Sequence, residues 1–352
     1  MNIYSGSKIC LIPRLTGIGG MVSFQRKLAS GLMARNIEVC FDLKSKPYDA
    51  VLVIGGTRQI HRLWQVKRSG VPIVQRLDGM NWIHRVIKTG LRHWLRAEYG
   101  NFILSSIRSS LVDKIAYQSN FSAGWWERVK GKTNCPYEVI HNGVDLTEFS
   151  PGDGADRPDE FIRLLLVEGS LLGGYEFGLE NAVKLTSQVA HSHLGDQKVE
   201  LMVVGKVSQA TREHWENWIK RHGKNDRFHI NWAGSVSHKQ IVAIYRGAHI
   251  FFSADINAAC PNSVIEALAC GTPVISFDTG ALPELLGDMG GIAVPYGGDP
   301  WQLDSPDIPT LTLSALEILN NLDQYQETAR KRAESAFNLD QMVDKYLGLL
   351  LG

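Results

Sequence analysis

Short apolar runs alternate with helical patterns along almost all of this 352-residue chain. That alternation is typical of parallel sheets covered by helices on both faces. A polar, turn-rich stretch at residues 151–158 interrupts it, as a linker would. The predicted strands are Lys8–Ile12, Glu38–Leu43, Ala50–Ile54, Pro72–Gln75 and Lys114–Gln118 before this stretch, and Ile162–Val167, Val199–Val204, Phe228–Trp232, Ile250–Ser253, Pro273–Ser276 and Ile292–Val294 after it. The sequence therefore predicts an α/β chain with two Rossmann-like sheets.

The composition is that of a globular protein, with 44% hydrophobic and 21% charged residues. No apolar run approaches the length needed to span a bilayer, and the N-terminus lacks the basic-then-apolar pattern of a signal peptide. A cytoplasmic protein is therefore expected. The five cysteines include no C-x-x-C pair, which argues against a disulfide framework and against a zinc site.

Opposite charges are concentrated in the two halves of the chain. Residues 1–146 contain 21 Lys and Arg against 9 Asp and Glu, whereas the remainder contains 16 against 27. Within one basic segment, cations are interleaved with Trp82 and Trp94; they are Arg85, Lys88, Arg92, Arg96 and Arg108. This pattern suits an anionic acceptor or peripheral contact with the inner face of an acidic membrane, and it equally suits a solvated helix face. Nucleic acid is not expected as a partner, because no recognition motif accompanies the charge.

The stretch from Cys260 to Ile275 is typical of a loop, a helix, a tight turn and a buried strand. Pro261 is tolerated in a first helical turn, where its missing N–H costs nothing, and Gly271 lies where a helix C-cap favours glycine. We therefore predict a helix from about Asn262 to about Cys270. Its first turn points backbone N–H groups and a positive dipole end at the loop, an arrangement that suits phosphate oxygens.

A glycine cluster, Gly17-Ile18-Gly19-Gly20, follows the first predicted strand and precedes the helical run Met21–Arg35. Glycines there permit close backbone approach to a diphosphate or to a hydroxyl group of a ligand. The cluster does not match G-x-G-x-x-G, so an NAD-dependent oxidoreductase is not expected.

These segments resemble the nucleotide-sugar site of GT-B glycosyltransferases, particularly the retaining enzymes of glycosyltransferase family 4. Further segments that resemble this family are Gln118–Ser122, His141–Asp145 with Phe149 and Pro151, Trp232–Val236, Gly280 and Glu284. The resemblance implies two Rossmann-like domains facing a central cleft, with a C-terminal helix that crosses back to the N-domain. On this basis the acceptor-side domain comprises residues 1–148 plus about 333–352, and the nucleotide-sugar domain comprises 149–332.

The resemblance also implies a set of donor-binding residues. Backbone N–H groups at the start of the predicted helix would bind the phosphates, Glu266 would bind the ribose, and the loop Ala233–Ser237 would hold the base. The candidate donor-binding residues are Gly19, Gly20, Lys206, Gly234, Ser235, Val236, Pro261, Asn262, Ser263, Val264 and Glu266. The chain has no D-x-D motif, so no metal and no other cofactor is expected beside the nucleotide-diphosphate sugar.

The donor site departs from the family at two places. The family usually has an acidic residue eight positions before the helix carboxylate, where this chain has Ala258; Asp255 or Asn257 could replace it. The family also usually has Arg and Lys after the first strand of the second domain, but no Lys or Arg occurs here between Arg163 and Lys184. The candidate replacements are Lys206, Arg14 and Arg76.

On the acceptor side, many relatives have a His after a strand of the N-domain, where this chain has the segment 76–84. Asp78, directly after a predicted strand, is the best-placed carboxylate to orient or deprotonate an acceptor hydroxyl. His84 is the second catalytic candidate.

The leading hypothesis is a retaining, metal-independent glycosyltransferase of polysaccharide biosynthesis. It would move a sugar from a UDP- or GDP-sugar to a carbohydrate or lipid-linked acceptor. The alternative is a catalytically impaired GT-B protein that binds a sugar nucleotide or a glycan without transfer. Ala258 and the missing cations are the features that favour this alternative.

Overall fold

A computed structural model describes residues 4–17, 19–152, 156–172, 176–192, 197–222 and 227–352. The chain forms two compact units. The first runs up to Gly143 and includes Phe337–Gly352, and the second is Val144–Ala336. The sequence placed the two boundaries at 148/149 and at 332/333, so the structure assigns a few more residues to the second unit at each end.

The first unit contains a six-stranded parallel sheet in the order β2-β1-β3-β4-β5-β6. The strands are β1 (Lys8–Ile12), β2 (Glu38–Cys40), β3 (Ala50–Ile54), β4 (Ile73–Leu77), β5 (Lys114–Tyr117) and β6 (Tyr137–Val139). The helices are α1 (Gly20–Met33), α2 (Ile60–Arg68), α3 (Leu91–Ser110) and α4 (Asn120–Lys130), with a 3₁₀ turn at Ile83–Arg85. β6 was not predicted, because a three-residue edge strand with two exposed residues shows no apolar run.

The second unit contains another six-stranded parallel sheet, in the order β12-β11-β10-β7-β8-β9. The strands are β7 (Phe161–Ser170), β8 (Lys198–Lys206), β9 (Phe228–Gly234), β10 (Ile250–Ser253), β11 (Val274–Phe277) and β12 (Gly291–Val294). The helices are α5 (Phe177–His191), α6 (Gln209–His222), α7 (His238–Arg246), α8 (Asn262–Ala269), α9 (Leu282–Leu286), α10 (Ile308–Asn320) and α11 (Leu322–Ala336). Strands β10 and β11 are fully buried, and almost all of their residues are therefore apolar.

A last helix, α12 (Leu339–Leu351), packs with α1 on one face of the first sheet. The rings of Phe24 and Tyr346 lie 5.2 Å apart between centroids. Gly31 permits this close packing, since a Cβ there would lie 2.5 Å from Cγ2 of Val343. α12 is therefore part of the core of the first unit.

Arg330 of α11 fixes the entry of the chain into the second unit. Its Nη1 donates to the carbonyl of Phe149 at 2.8 Å and to that of Ala269 at 2.7 Å, and its Nη2 donates to the carbonyl of Leu146 at 3.1 Å. One guanidinium thus satisfies a carbonyl at the end of α8 and two in the segment that opens the unit. None of the helices in the described ranges is long and apolar enough to cross a bilayer.

Candidate active site

The N-terminus of α8 has the form that the sequence predicts. Pro261 is the N-cap residue, with φ −67° and ψ 124°, and the helix begins at Asn262. The helix ends at Ala269, and Gly271 follows with φ +72°. Because proline has no side-chain acceptor, Pro261 cannot cap the first-turn N–H groups of α8 with its own side chain.

Glu266 lies one turn into α8 and is half-buried. The hydroxyl of Tyr245, on α7, lies 3.4 Å from its Oε2 and can donate to it. Burial, and then the Glu266 carboxylate, hold the pKa of the Tyr245 hydroxyl well above its usual range. Tyr245 therefore stays a neutral donor that keeps Glu266 in place, and a carboxylate can accept hydrogen bonds from more than one hydroxyl.

The loop after β10 approaches Gly280 closely. Gly280 has φ +63°, and a Cβ there would lie 2.5 Å from both the nitrogen and the oxygen of Ala258. Ala281 donates its backbone N–H to the Ala258 carbonyl at 2.8 Å. Asn257 has φ +57°, and its buried Nδ2 has no hydrogen-bond partner among the described residues. This loop therefore holds a buried amide donor beside the position where the family has an acid.

Two carboxyl groups lie at the carboxyl ends of the neighbouring strands β7 and β10. They are Glu168, on β7, and Asp255, two residues after β10. Burial raises the pKa of both groups, and the neighbouring Asp255 raises that of Glu168 further. Gly205 on β8 makes room for Glu168, since a Cβ there would lie 2.0 Å from the Glu168 carbonyl. The sequence did not reveal Glu168, because its partner is 87 residues away and only the sheet order makes them neighbours.

The other donor-side candidates lie at the ends of β8 and β9. Gly234 ends β9 with φ +67°, and Ser235 and Val236 lead into α7, which Ser237 caps in a capping box with Gln240. Lys206 ends β8 and is exposed. Ligands bind at the carboxyl ends of parallel strands in doubly wound sheets, so the second unit gathers all these groups at the expected edge.

Gly19 and Gly20 belong to the first unit, at the start of α1. Gly19 is the N-cap residue, with φ 142°. Gln25 of α1 braces the loop that precedes them, since it accepts from the Leu15 N–H and donates to the Pro13 carbonyl, each at 2.8 Å. Ile18 of the glycine cluster lies outside the described residues, as do residues 173–175 of the loop after β7.

Asp78 follows β4 directly and is half-buried. Burial raises the pKa of its carboxyl group, and the guanidinium of Arg76 acts in the opposite direction. Its carbonyl accepts a hydrogen bond from Nε1 of Trp126 at 2.7 Å. Gly79 then passes close to Trp125, since a Cβ there would lie 2.4 Å from the indole ring. Aromatic packing thus fixes the backbone that carries Asp78.

His84 lies in the 3₁₀ turn, and its side chain is 1% exposed. Its Nε2 lies 2.8 Å from Oε1 of Glu98 on α3. This geometry suits a histidine that connects two elements of the first unit better than one that exchanges protons with an acceptor.

Arg76 is one of the most deeply buried cations in the described chain, with 2% of the residue exposed. Its guanidinium lies 3.7 Å from the centroid of the Phe24 ring, and its Nη2 donates to Oδ1 of Asn142 at 2.8 Å. Its Nε and Nη1 have no partner among the described residues. Burying a guanidinium costs free energy. The charge of the nearby Asp78 carboxylate offsets part of this cost.

Comparison with known proteins finds a family match within the second unit. Residues 174–303 match the family described as "Glycosyl transferases group 1". A D-inositol 3-phosphate glycosyltransferase of Streptomyces bingchenggensis is 31% identical over 169 residues, which are 45% of this chain and 36% of that protein. An MMP alpha-(1->4)-mannosyltransferase of Mycolicibacterium hassiacum is 22% identical over 285 residues, which are 78% of this chain and 64% of that protein. The chain spans 36% and 38% of the length of the first two curated relatives that it matches.

Solved structures resemble the whole chain. A sucrose-phosphate synthase from Thermosynechococcus elongatus has a TM-score of 0.72 at 17% identity, and the match covers 97% of this chain and 98% of that one. The Anabaena protein HepE, in complex with UDP and glucose, has a TM-score of 0.68 at 15% identity, with coverages of 98% and 99%. At these identities the likeness shows the fold alone. The fold is the two-domain α/β architecture of GT-B glycosyltransferases, as the sequence predicted.

Proposed function

We propose that this chain is a retaining glycosyltransferase. The premise is the match of its second unit to the group 1 glycosyl transferases. The protein moves a sugar from a nucleotide-diphosphate sugar, with UDP or GDP as the leaving group, to a carbohydrate or lipid-linked acceptor. The observation that carries this proposal is Glu266, which Tyr245 holds one turn inside a helix whose N-terminus lacks a side-chain cap from Pro261. That helix lies within the family match.

The donor would bind at the carboxyl edge of the second sheet. The first-turn N–H groups of Asn262, Ser263 and Val264, with the positive end of the α8 dipole, favour the diphosphate. Glu266 accepts from a ribose hydroxyl, and the loop from Gly234 to Val236 holds the base through main-chain groups. No metal and no other cofactor takes part in this scheme.

Neutral donors would replace the cations that the family usually supplies. The raised pKa of Glu168 favours its protonated form, which donates a hydrogen bond to a phosphate oxygen where a carboxylate would repel it. The buried Nδ2 of Asn257 is a second donor, on the loop after β10. In this proposal Glu168 and Asn257 both serve as hydrogen-bond donors to the diphosphate.

In the transfer step, the acceptor oxygen bonds to the anomeric carbon as the bond from that carbon to the phosphate oxygen breaks. The nucleoside diphosphate leaves with the electron pair and takes the acceptor proton on the same face of the sugar. Donors aimed at the diphosphate stabilise the charge that develops on it. Asp78 is the candidate carboxylate for orienting the acceptor hydroxyl.

Calorimetry with UDP, GDP and ADP, each with and without magnesium, tests the donor site. We expect tight binding of one nucleotide without metal, and a loss of about tenfold or more in affinity for Glu266→Gln, because a charged hydrogen bond is removed. The matched control is Glu317→Gln, which removes another Tyr–carboxylate contact, 2.8 Å from the Tyr325 hydroxyl. Equal effects of the two substitutions, or none from Glu266→Gln, would contradict the site.

The second candidate is a protein that binds a sugar nucleotide or a glycan without transfer. Ala258, in place of the usual acid, favours it. The two candidates differ in one measurement on the nucleotide sugar that binds best. Release of free nucleoside diphosphate that an added acceptor accelerates identifies a transferase. Binding without any release identifies the non-catalytic protein.

A further inference from the structure

The helix α3 presents an apolar face to solvent. Its exposed large side chains are Leu91 (74% exposed), Trp94 (42%), Leu95 (54%), Tyr99 (53%) and Phe102 (65%). At 100° per residue these five positions fall within one side of the helix, and they extend over about 16 Å of its axis. We call them the α3 apolar face.

The opposite side of α3 is the side that packs in the first unit. Ala97, Asn101 and Ile107 are buried there, and Leu104 lies over Gly56, where a Cβ would be 3.2 Å from its Cδ2. The core of the first unit therefore packs on this opposite side and leaves the α3 apolar face exposed. A helix that is apolar on both sides has almost no net amphipathic pattern, so the sequence indicated only the basic segment that contains Trp94 and not this face.

Exposed cations lie beside the α3 apolar face. Arg92 and Arg96 are exposed on its flank, and Lys88 is exposed in the turn before the helix. The one acid of α3, Glu98, is already held by Arg85 and His84. The face therefore combines exposed aromatic and aliphatic side chains with a local excess of positive charge.

We propose that the α3 apolar face binds the surface of an anionic lipid bilayer. An interfacial helix of this kind lies in the plane of the membrane, with its apolar side chains among the acyl chains and its cations at the anionic headgroups. Aromatic side chains such as Trp94 and Tyr99 favour this depth, because their rings are apolar and their polar groups stay at the headgroup level. The positive charge of Lys88, Arg92 and Arg96 favours an anionic bilayer over a neutral protein surface as the partner of this face. The proposal does not rest on the donor site, which belongs to the other unit.

Sedimentation of the full chain with lipid vesicles tests the proposal. Vesicles of phosphatidylcholine alone are compared with vesicles that also contain phosphatidylglycerol, at low and at moderate salt. We expect binding to the anionic vesicles only, weakened by salt because the headgroup attraction is screened. The triple variant Leu91→Ser, Leu95→Ser, Phe102→Ser should bind about tenfold or more weakly, and Arg92→Gln with Arg96→Gln should reduce the salt dependence.

The matched control is Leu313→Ser on α10, since Leu313 is 69% exposed and belongs to the other unit. It should bind vesicles as the wild type does. Because all the substituted side chains are exposed, melting temperatures and nucleotide affinity should be unchanged in every variant. Absence of vesicle binding by the wild type, or unchanged binding by the triple variant, would overturn the proposal. Self-association that the triple variant abolishes, without vesicle binding, would also overturn it and assign the face to a second copy of the chain.

Discussion

His84 and Arg85 hold the same carboxylate, that of Glu98. Nε2 of His84 lies 2.8 Å from Oε1 of Glu98, and Arg85 donates to the two carboxylate oxygens at 2.7 and 3.0 Å. Arg85, and then His84, lower the pKa of Glu98 to about 2. This connection fixes the 3₁₀ turn after Asp78 to the helix α3.

Glu98→Gln should destabilise the first unit in a pH-dependent way. A depressed carboxyl pKa adds stability above the unfolded value of about 4.3, and this stability is lost as the pH falls towards about 2. We expect a loss on the order of 1 kcal/mol at pH 7, since Arg85 is half-exposed and its contact is screened. Urea unfolding of both proteins from pH 7 to pH 3 measures it. A difference that stays constant over that range would contradict the assignment; the exposed Glu138→Gln is the control.

Arg76→Met should leave the first unit as stable as the wild type to within about 1 kcal/mol, because the hydrogen bond to Asn142 and the contact with Phe24 compensate only part of the desolvation of this buried cation. Arg108→Met is the control, since Arg108 is equally buried but donates to the Tyr117 hydroxyl at 2.8 Å and to the Gly131 carbonyl at 3.0 Å. It should cost about 2–3 kcal/mol. Thermal unfolding compares the two variants.

The same Arg76→Met variant should raise the pKa of Asp78, because Arg76 lowers it in the wild type. Titration of the Asp78 carboxyl carbon by NMR measures this directly, without an activity assay. An unchanged Asp78 titration, or a loss of stability as large as that of Arg108→Met, would show that Arg76 serves the fold alone.

Glu168→Gln should make the second unit more stable than the wild type at neutral and higher pH. A carboxyl pKa that is raised on folding costs stability as the pH rises from the unfolded value of about 4.3 towards the folded one, and a glutamine avoids this cost. Below about pH 4 the two proteins should be alike. Urea midpoints between pH 4 and pH 8 test the sign; the exposed Glu213→Gln should show no such trend.

The same variant tests the role of Glu168 towards the donor. If the protonated form binds phosphate, the nucleotide affinity of the wild type falls as the pH rises, whereas that of Glu168→Gln does not. We expect the two affinities to differ by about tenfold at the highest pH used. Parallel pH profiles would contradict the role.

Gly280→Ala should disrupt the loop after β10. Its methyl group would meet Ala258 at 2.5 Å and the carbonyl carbon of Asn257 at 2.7 Å, in a backbone with φ +63°. We expect a loss of roughly 2–3 kcal/mol together with lower nucleotide affinity. Gly131→Ala has φ +77° with no atom within 4 Å, so it isolates the backbone strain and should cost about 1–2 kcal/mol without affecting the nucleotide. Equal costs for both variants would contradict the close approach.

The sequence predicted the fold to the extent that local patterns carry it. Apolar runs marked every strand except β6, and Pro261 with Gly271 gave the bounds of α8 to within a residue. The α/β fold and the glycosyltransferase resemblance are confirmed. The roles of Asp78, Glu266 and the other site residues stay predictions.

What the sequence could not show depends on contacts between distant residues. Glu168 and Asp255 are close enough to interact electrostatically only because the sheet order puts β7 beside β10. The burial of Arg76 against Phe24 depends on how α1 packs on the sheet. Such pairings have no local period, so no pattern in one sequence indicates them.

The helix α12 completes the core of the first unit but follows the whole second unit in the chain. During synthesis, the first sheet therefore emerges long before the helix that covers one of its faces. The second unit, which is continuous, can finish folding while that apolar face still lacks its cover. We therefore expect the first unit, which contains the residues synthesised first, to complete its folding after the second unit.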